Sequence, residues 1–480
     1  MLLLAAGLHA GAIKGILLDQ ESGNPLARTR VRLHEIRPEG VVARATIFSG
    51  RVGQFAFENL PAGAYLVSVI RDGYQTAYWG QKRPDTLGLP IDLKADASLF
   101  AELRLYRLGA ITGRVLDENR IGIAGVTVQA YPARSPLRPV AQGKSDDRGV
   151  YRIYGLPPGK YLVRTDVHTL EDGSGLVPTF GSETLLRREA RDHVAALNLD
   201  TPYADIRPLE GRLITVAGAV FCPPNAQATV TLATETGRRQ QKVACLGSYS
   251  FPGVAPGRME ILAMTEDGLR ADWLENPAGG GSLQLEEMSP VAIVSKPPLA
   301  RTIVRRRDPA GTEEPIELKP GMKLPPGYYE VAPQPPATHW VEEVNLGYSR
   351  TRADEDTHPD WFLTRHTPRR GAVLNVTLAG PAAAVRGQVT DQDKPVAGVV
   401  VFLWPDQPAT RRSIGGPRRV QTGADGRFEF TGLAPGSYRL IASYELISVD
   451  EDMLATMPAQ SLSLGAGQNG SVSLTLYRTP

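Results

Sequence analysis

Ser145-Asp-Asp-Arg-Gly-Val-Tyr-Arg-Ile-Tyr-Gly-Leu-Pro-Pro-Gly-Lys-Tyr-Leu-Val163 is the stretch that decides the fold. Apolar residues alternate with polar ones at Tyr151 and Ile153, then at Tyr161 and Val163, on either side of a Pro-Pro-Gly turn. Period-two alternation marks half-buried strands, and the Asp-Asp-Arg-Gly ahead of them has the composition of a tight turn. The pattern returns from Gly53 to Val67, with Phe55, Phe57, Leu60, Pro61, Gly63 and Tyr65, and from Gly426 to Leu440, with Phe428, Phe430, Leu433, Pro435, Gly436 and Tyr438. Weaker copies run from Gly247 to Ile261, around Val254, Pro256, Gly257 and Met259, and from Leu324 to Val331, around Pro326, Gly327 and Tyr329. Five copies of one hairpin describe a string of similar modules.

A chain of 480 residues has room for several domains, and five repeats set modules of roughly 100 residues, each able to bury a small core. Lys plus Arg number 53 against 51 Asp plus Glu, a net charge of +2. No broad basic field is present to hold nucleic acid or an anionic membrane. The 49 Gly and 39 Pro fit many short strands joined by tight turns, and the persistent alternation argues against disorder. Residues 1–10, Met-Leu-Leu-Leu-Ala-Ala-Gly-Leu-His-Ala, resemble the end of a signal-peptide core with cleavage after Ala10, although no basic segment precedes it. No later stretch reaches the roughly 18 consecutive apolar residues of a membrane-spanning helix.

Each strong module opens with a Gly-x-Val-type strand, an Asp turn and a second strand: Gly113-Arg-Val-Leu-Asp117 then Ile123 to Val128, Gly387-Gln-Val-Thr-Asp391 then Val396 to Val401, Gly15-Ile-Leu-Leu-Asp19 then Pro25 to Val31. With the hairpin and a closing strand (Leu99 to Leu105, Val472 to Leu476), this makes an all-β tandem array of antiparallel seven-stranded sandwiches. Boundaries are expected at 11–107, 108–208, 209–290, 291–380 and 381–480, the third and fourth modules being divergent. The insert 178–208 contains a possible helical turn at Glu183 to Arg191, ahead of a last strand. The polar stretch Ser349 to Arg370 reads as an exposed connection.

Gly113-Arg-Val-Leu-Asp117, Ser145-Asp-Asp-Arg-Gly149 and Gly155-Leu-Pro-Pro-Gly-Lys-Tyr161 resemble the carboxypeptidase regulatory-like, or transthyretin-like, domain of secreted bacterial proteins. The resemblance covers modules one, two and five and implies a sandwich fold and no catalytic activity of its own. The repeated hairpins place Tyr65, Tyr161 and Tyr438 in equivalent core positions, two residues after the turn glycine. Phe57-Glu-Asn-Leu-Pro-Ala-Gly-Ala-Tyr65 also resembles the Cna-B adhesin repeats, which form Lys–Asn cross-links. Lys14 and Glu58 could serve, but the closing strand Leu99 to Leu105 has no Asn, so the cross-link is rejected.

Other candidate chemistry is thin. His168-Thr-Leu-Glu171 has the spacing of a zinc-peptidase ligand pair, but no third ligand or general base is in view, and a polar strand end explains it. His339, His358 and His366 flank a polar segment carrying Asp354, Asp356 and Asp360; solvated loop polarity accounts for them. The Asp turns at Asp146-Asp147, Asp391, Asp393 and Asp425 offer too few oxygens for calcium. No nucleophile elbow, phosphate loop or dinucleotide fingerprint occurs. No cofactor or metal is therefore expected. Cys222 and Cys245, the only cysteines, are expected to form a disulfide if the chain is exported, two buried thiols being the alternative.

Two surface features point to contacts. Aligning Val396 to Trp404 on Ile123 to Tyr131 turns Val399, Val401 and Leu403 inward and leaves Phe402 and Trp404 outside, where they need a cover: module four, or a loop of module five. Tyr78-Trp79-Gly80 with Gln81, Lys82 and Arg83 offers aromatic faces beside amide and guanidinium donors, as a sugar ring would require; the alternative is that Tyr78 and Trp79 cap the end of the sandwich. The leading reading is a non-catalytic, monomeric envelope or secreted protein that binds, adheres or spaces, with a polysaccharide or envelope protein as partner. The alternatives are a carbohydrate-binding protein of the starch-binding sandwich type and an accessory region of a metallocarboxypeptidase system.

Overall fold

The computed structural model describes residues 11–37, 40–84, 86, 88–133, 138–170, 174–346, 358–367, 372–446, 449 and 451–478. The leader-like residues 1–10 lie outside these. In the first module Gly11–Asp19 is flanked by Gln54–Leu60, antiparallel, and Ser98–Leu105, parallel. The facing sheet runs Gly40–Phe48, Arg30–Arg37, Gly63–Ile70 and Ala77–Tyr78, with Ile91–Leu93 also on Gly63–Ile70. Alternate residues of both sheets meet between them: Ile13, Leu17, Phe55 and Phe57 from one, Leu33, Tyr65 and Val67 from the other. Four more two-sheet sandwiches follow, centred on Gly109–Arg114, Ile214–Phe221, Val373–Ala379 and Ala383–Asp391. Each has its own cluster of buried side chains.

Alternation alone predicts a purely antiparallel sandwich, and here the structure differs. In every module the first strand pairs in parallel with a strand near the module's end. That closure accounts for the glycine of the opening strand. A Cβ on Gly113 would lie 2.2 Å from the Ala204 carbonyl oxygen, and one on Gly15 or Gly387 2.0 Å from Ala101 O or 2.3 Å from Val472 O. The closing strand comes as near as a bare Cα permits. The turn glycine is needed for a second reason: Gly149 has φ +75°, a left-handed conformation, and its absent Cβ leaves room for Val115 O. Asp146 Oδ1 closes the same turn by accepting from the backbone N–H of Arg148 and Val150, at 3.0 and 2.8 Å.

The hairpin tyrosines share one arrangement. Tyr65, Tyr161, Tyr329 and Tyr438 are buried in their cores, and each hydroxyl donates to a carbonyl four residues back. The acceptors are Pro61 O (2.9 Å), Pro157 O (2.9 Å), Pro325 O (2.8 Å) and Ala434 O (2.5 Å). The ring fills the core while its polar tip ties the turn to the strand, as in a tyrosine corner. Module three has Met259 at that position, without the hydroxyl. It carries a disulfide instead: Cys222 and Cys245 are bonded, with Cα atoms 5.1 Å apart. The bridge joins the end of Ile214–Phe221 in one sheet to the end of the edge strand Gly237–Ala244 in the other.

One expectation for the connections needs correction. Within the stretch 349–370, Phe362–His366 is a strand paired with Gly327–Gln334, with Thr364 and His366 buried. Its inward residues are polar, so hydrophobic alternation does not reveal it. In the insert, one 3-10 turn, Arg187–Glu189, precedes the strand Asp192–Ala195.

Candidate functional site

The aromatic segment after the first hairpin forms a depression of about 230 Å³, lined by Tyr78, Gln81, Lys82, Arg83 and Tyr106. Tyr78 ends the short edge strand Ala77–Tyr78, and its backbone N–H donates to Gln81 Oε1 at 2.8 Å, which fixes the amide against the strand. Burial raises the Tyr78 phenol above its ordinary value, so it stays a neutral donor and acceptor at physiological pH. Trp79 does not join the group. It sits in the turn after the strand and packs against the core of module one. Of the four sugar-site candidates, three line one depression and the fourth supports it from below. Tyr106 has no motif in the sequence; the pairing of closing and first strands brings it there.

Beside this depression the first module meets the fifth. Lys82 Nζ lies 3.4 Å from Glu445 Oε1, and Thr86 bridges Leu446. Phe402 and Trp404 sit on the outer face of the fifth module, buried with Ile441, Leu446 and Leu454. Their cover is the module's own segment around the short helix Glu451–Thr456, so Phe402 is an intramodular residue, not an interdomain contact. Trp404 has a further neighbour: the Arg411 guanidinium lies 4.5 Å from its ring centroid and donates through Nε to Asp360 Oδ1 of module four, at 2.8 Å. Val399, Val401 and Leu403 face the core.

The module junctions are built from charge. At the end of module one, the Arg107 backbone N–H donates across to Asn198 Oδ1 of module two at 2.7 Å, while Arg107 Nε and the Tyr74 hydroxyl donate to Asp19 Oδ2 at 2.9 and 2.8 Å. Burial opposes ionisation of Asp19, but these bonds and those from Ser22 hold its carboxyl well below the usual range. Between modules three and four, Arg306 lies 3.1 Å from Glu260 and 3.2 Å from Asp308, while Arg238 grips both oxygens of Asp308 at 2.7 and 2.9 Å. Glu260, Arg306 and Asp308 are all buried. Burial pushes the Glu260 carboxyl up to about 7, against the pull of Arg306 and of the Trp273 indole N–H that donates to it at 3.0 Å. Removing one partner of such a set strands a buried charge and costs about 3–5 kcal/mol. No sequence signal finds these pairs, since Glu260 and Arg306 stand 46 positions apart.

The remaining candidates fall into structural roles. His168 opens a two-residue strand paired with Gly175–Leu176, and Glu171 lies outside the described residues, as do Asp354 and Asp356. His366 is buried beside Tyr329, its pKa lowered by burial, and His358 lies 4.0 Å from Asp360. Among the described residues, no three His, Cys, Asp or Glu side chains are grouped to hold a metal, and no helix is long and apolar enough to cross a membrane. Lys14 and Glu58 form an exposed ion pair at 3.2 Å.

Several known proteins resemble this chain. No curated protein sequence matches it. Among solved structures, the minor pilin GBS52 of Streptococcus agalactiae is 14% identical, covers 42% of this chain and 97% of its own, and has a TM-score of 0.26. The TIE protein of Bacillus anthracis is 11% identical over 97% of this chain and 73% of its own, with a TM-score of 0.18. The major pilin subunit BcpA of Bacillus cereus is 10% identical over 77% of this chain and 99% of its own, with a TM-score of 0.16. The carboxypeptidase regulatory-like domain model matches residues 384–476, which span the opening Ala383–Asp391 strand to the closing Asn469–Thr475 strand of the last module. The last module, and not the chain as a whole, is thus what matches the carboxypeptidase regulatory-like domain family.

Proposed function

We propose that the chain is a non-catalytic scaffold of the cell envelope or extracellular space, whose five sandwiches are held at fixed angles to bind or space partners. The observation that carries this reading is the buried Glu260–Arg306–Asp308–Arg238 set, which locks modules three and four together. A flexible string has no use for desolvated ion pairs at its joints, since exposed linkers connect independent modules without that cost. The Cys222–Cys245 bridge supports an oxidising compartment. Glu260→Ala tests the lock: the chain should gain flexibility at this junction in small-angle scattering while all five modules stay folded. An unchanged scattering curve refutes the rigid scaffold.

A second reading, carbohydrate binding, is favoured by the convergence of Tyr78, Gln81 and Arg83 on one depression. Its small volume suits one or two sugar residues, with affinity of order millimolar, about −4 kcal/mol. A glycan array probed with the wild-type chain and with Tyr78→Ala decides it; equal signals from both proteins, or none from either, remove the reading.

A further inference from the structure

A cleft of about 970 Å³ opens between modules two and three. One wall is the second module, from Gln129 and Arg164 to Val177; the other is made of two turns of the third, Thr234 to Arg239 and Pro252 to Arg258. Both sides are fixed. Gln129 Nε2 donates to Thr236 O at 3.1 Å, and Arg164 Nη2 lies 3.1 Å from Glu235 Oε2. Arg238 is held by Asp308, and Arg239 donates to Pro252 O at 2.7 Å.

Arg164 is the unusual member of this wall. It is only 6% exposed and stacks on Phe180 with 4.9 Å to the ring centroid. Nη2 pairs with Glu235, and the Tyr131 phenol lies close by, but Nε and Nη1 are buried without a hydrogen-bond acceptor among the described residues. Buried donors are ordinarily satisfied, and a charged one left short of acceptors is costly. The lining is also cationic on balance: Arg164, Arg212, Arg238, Arg239 and Arg258 face Asp166, Glu210 and Glu235. Arg212 and Arg258 are exposed and stand at the rim.

We propose that this cleft binds an extended acidic peptide segment, with ligand carboxylates against Arg212 and Arg258 at the rim and a ligand oxygen supplied to Arg164 on the wall. Guanidinium groups pair with carboxylates in planar, bidentate fashion, so several of them around one groove select acidic side chains. The lining contains no Phe, Tyr or Trp, so it offers no platform for stacking a sugar ring or a base. The volume far exceeds that of a single carboxylate and stands at the upper end for discrete ligand sites, which suits a segment of several residues. The proposal goes beyond the scaffold reading by naming the class of one partner.

The test titrates the full chain into fluorescein-labelled hexaglutamate and follows anisotropy at low and physiological salt. Parallel titrations use hexaglutamine and hexagalacturonate with the same label. Hexaglutamate should bind with an affinity that falls as salt rises, hexaglutamine should not bind, and hexagalacturonate should bind more weakly than the acidic peptide. Arg212→Glu/Arg258→Glu, both exposed, should fold as the parent does and weaken hexaglutamate at least tenfold. The charge-matched control Arg30→Glu/Arg51→Glu on module one should leave binding within twofold. Absence of hexaglutamate binding, equal loss in both double variants, or tighter hexagalacturonate binding overturns the proposal. The scattering test of the module junction is unaffected by any of these results, so the two readings fail separately.

Discussion

Replacing Tyr161 with Ala removes a side chain that is 6% exposed, packs among Ile153, Val163 and Ala195, and ties the hairpin turn through its bond to Pro157 O. Truncation of a buried aromatic costs about 3–5 kcal/mol. Tyr161→Phe keeps the ring and loses only the half-buried hydroxyl bond, which contributes about 1 kcal/mol. The difference between the two variants separates packing from the tie. Hydrogen exchange followed by mass spectrometry reads both, peptide by peptide. At about 1.4 kcal/mol per tenfold change, Tyr161→Ala should speed exchange in Gly109–Arg114, Thr127–Pro132, Val150–Leu156 and Gly159–Thr165 by about two to three and a half powers of ten. Tyr161→Phe should speed it less than tenfold. The strands around Tyr438 belong to a separate core and should keep the parent rates. Equal acceleration in modules two and five would refute separate cores, and equal effects of Phe and Ala would refute the packing role.

Further outcomes follow from other contacts. Glu260 titrates near 7 in the folded protein and near 4.5 when unfolded, so between those values the folded state holds the extra proton and stability falls as pH rises. The loss is about 3 kcal/mol by pH 7, with no further change above it; urea melts from pH 4.5 to 8 should show this slope, and Glu260→Gln should flatten it. Reduction of Cys222–Cys245 should destabilise module three by about 3 kcal/mol and leave the others alone; two reactive thiols in the unreduced protein would contradict the bridge. Phe402→Ser/Trp404→Ser should release the segment around Glu451–Thr456, at a local cost of about 3 kcal/mol or more, while the Val399, Val401 and Leu403 face stays protected from exchange.

The fold was legible wherever local chemistry carries it. The hairpin, its turn glycine and the inward face of Val399, Val401 and Leu403 are all statements about period two and φ, and both are written in neighbouring residues. The parallel closing strand was hidden, because parallel pairing joins distant segments and leaves no local trace apart from the glycines that admit it. Phe362–His366 was hidden because Thr364 and His366 are what it buries. For the depression near Tyr78, residue types were readable and direction was not: Trp79 packs on the core, while Tyr78 and Arg83 line the depression. The ion pairs at the joints, and the cleft that Arg164 lines, depend wholly on modules meeting, which composition and spacing do not encode.

Whether the modules form one rigid scaffold is tested most directly by small-angle X-ray scattering of the full chain at pH 7 and low salt. The junctions, together with the Lys82–Glu445 and Thr86–Leu446 contacts that bring the first module against the fifth, predict a compact particle whose scattering is fitted by a single arrangement. A curve that demands an ensemble, or a maximum dimension matching five sandwiches end to end, contradicts the account.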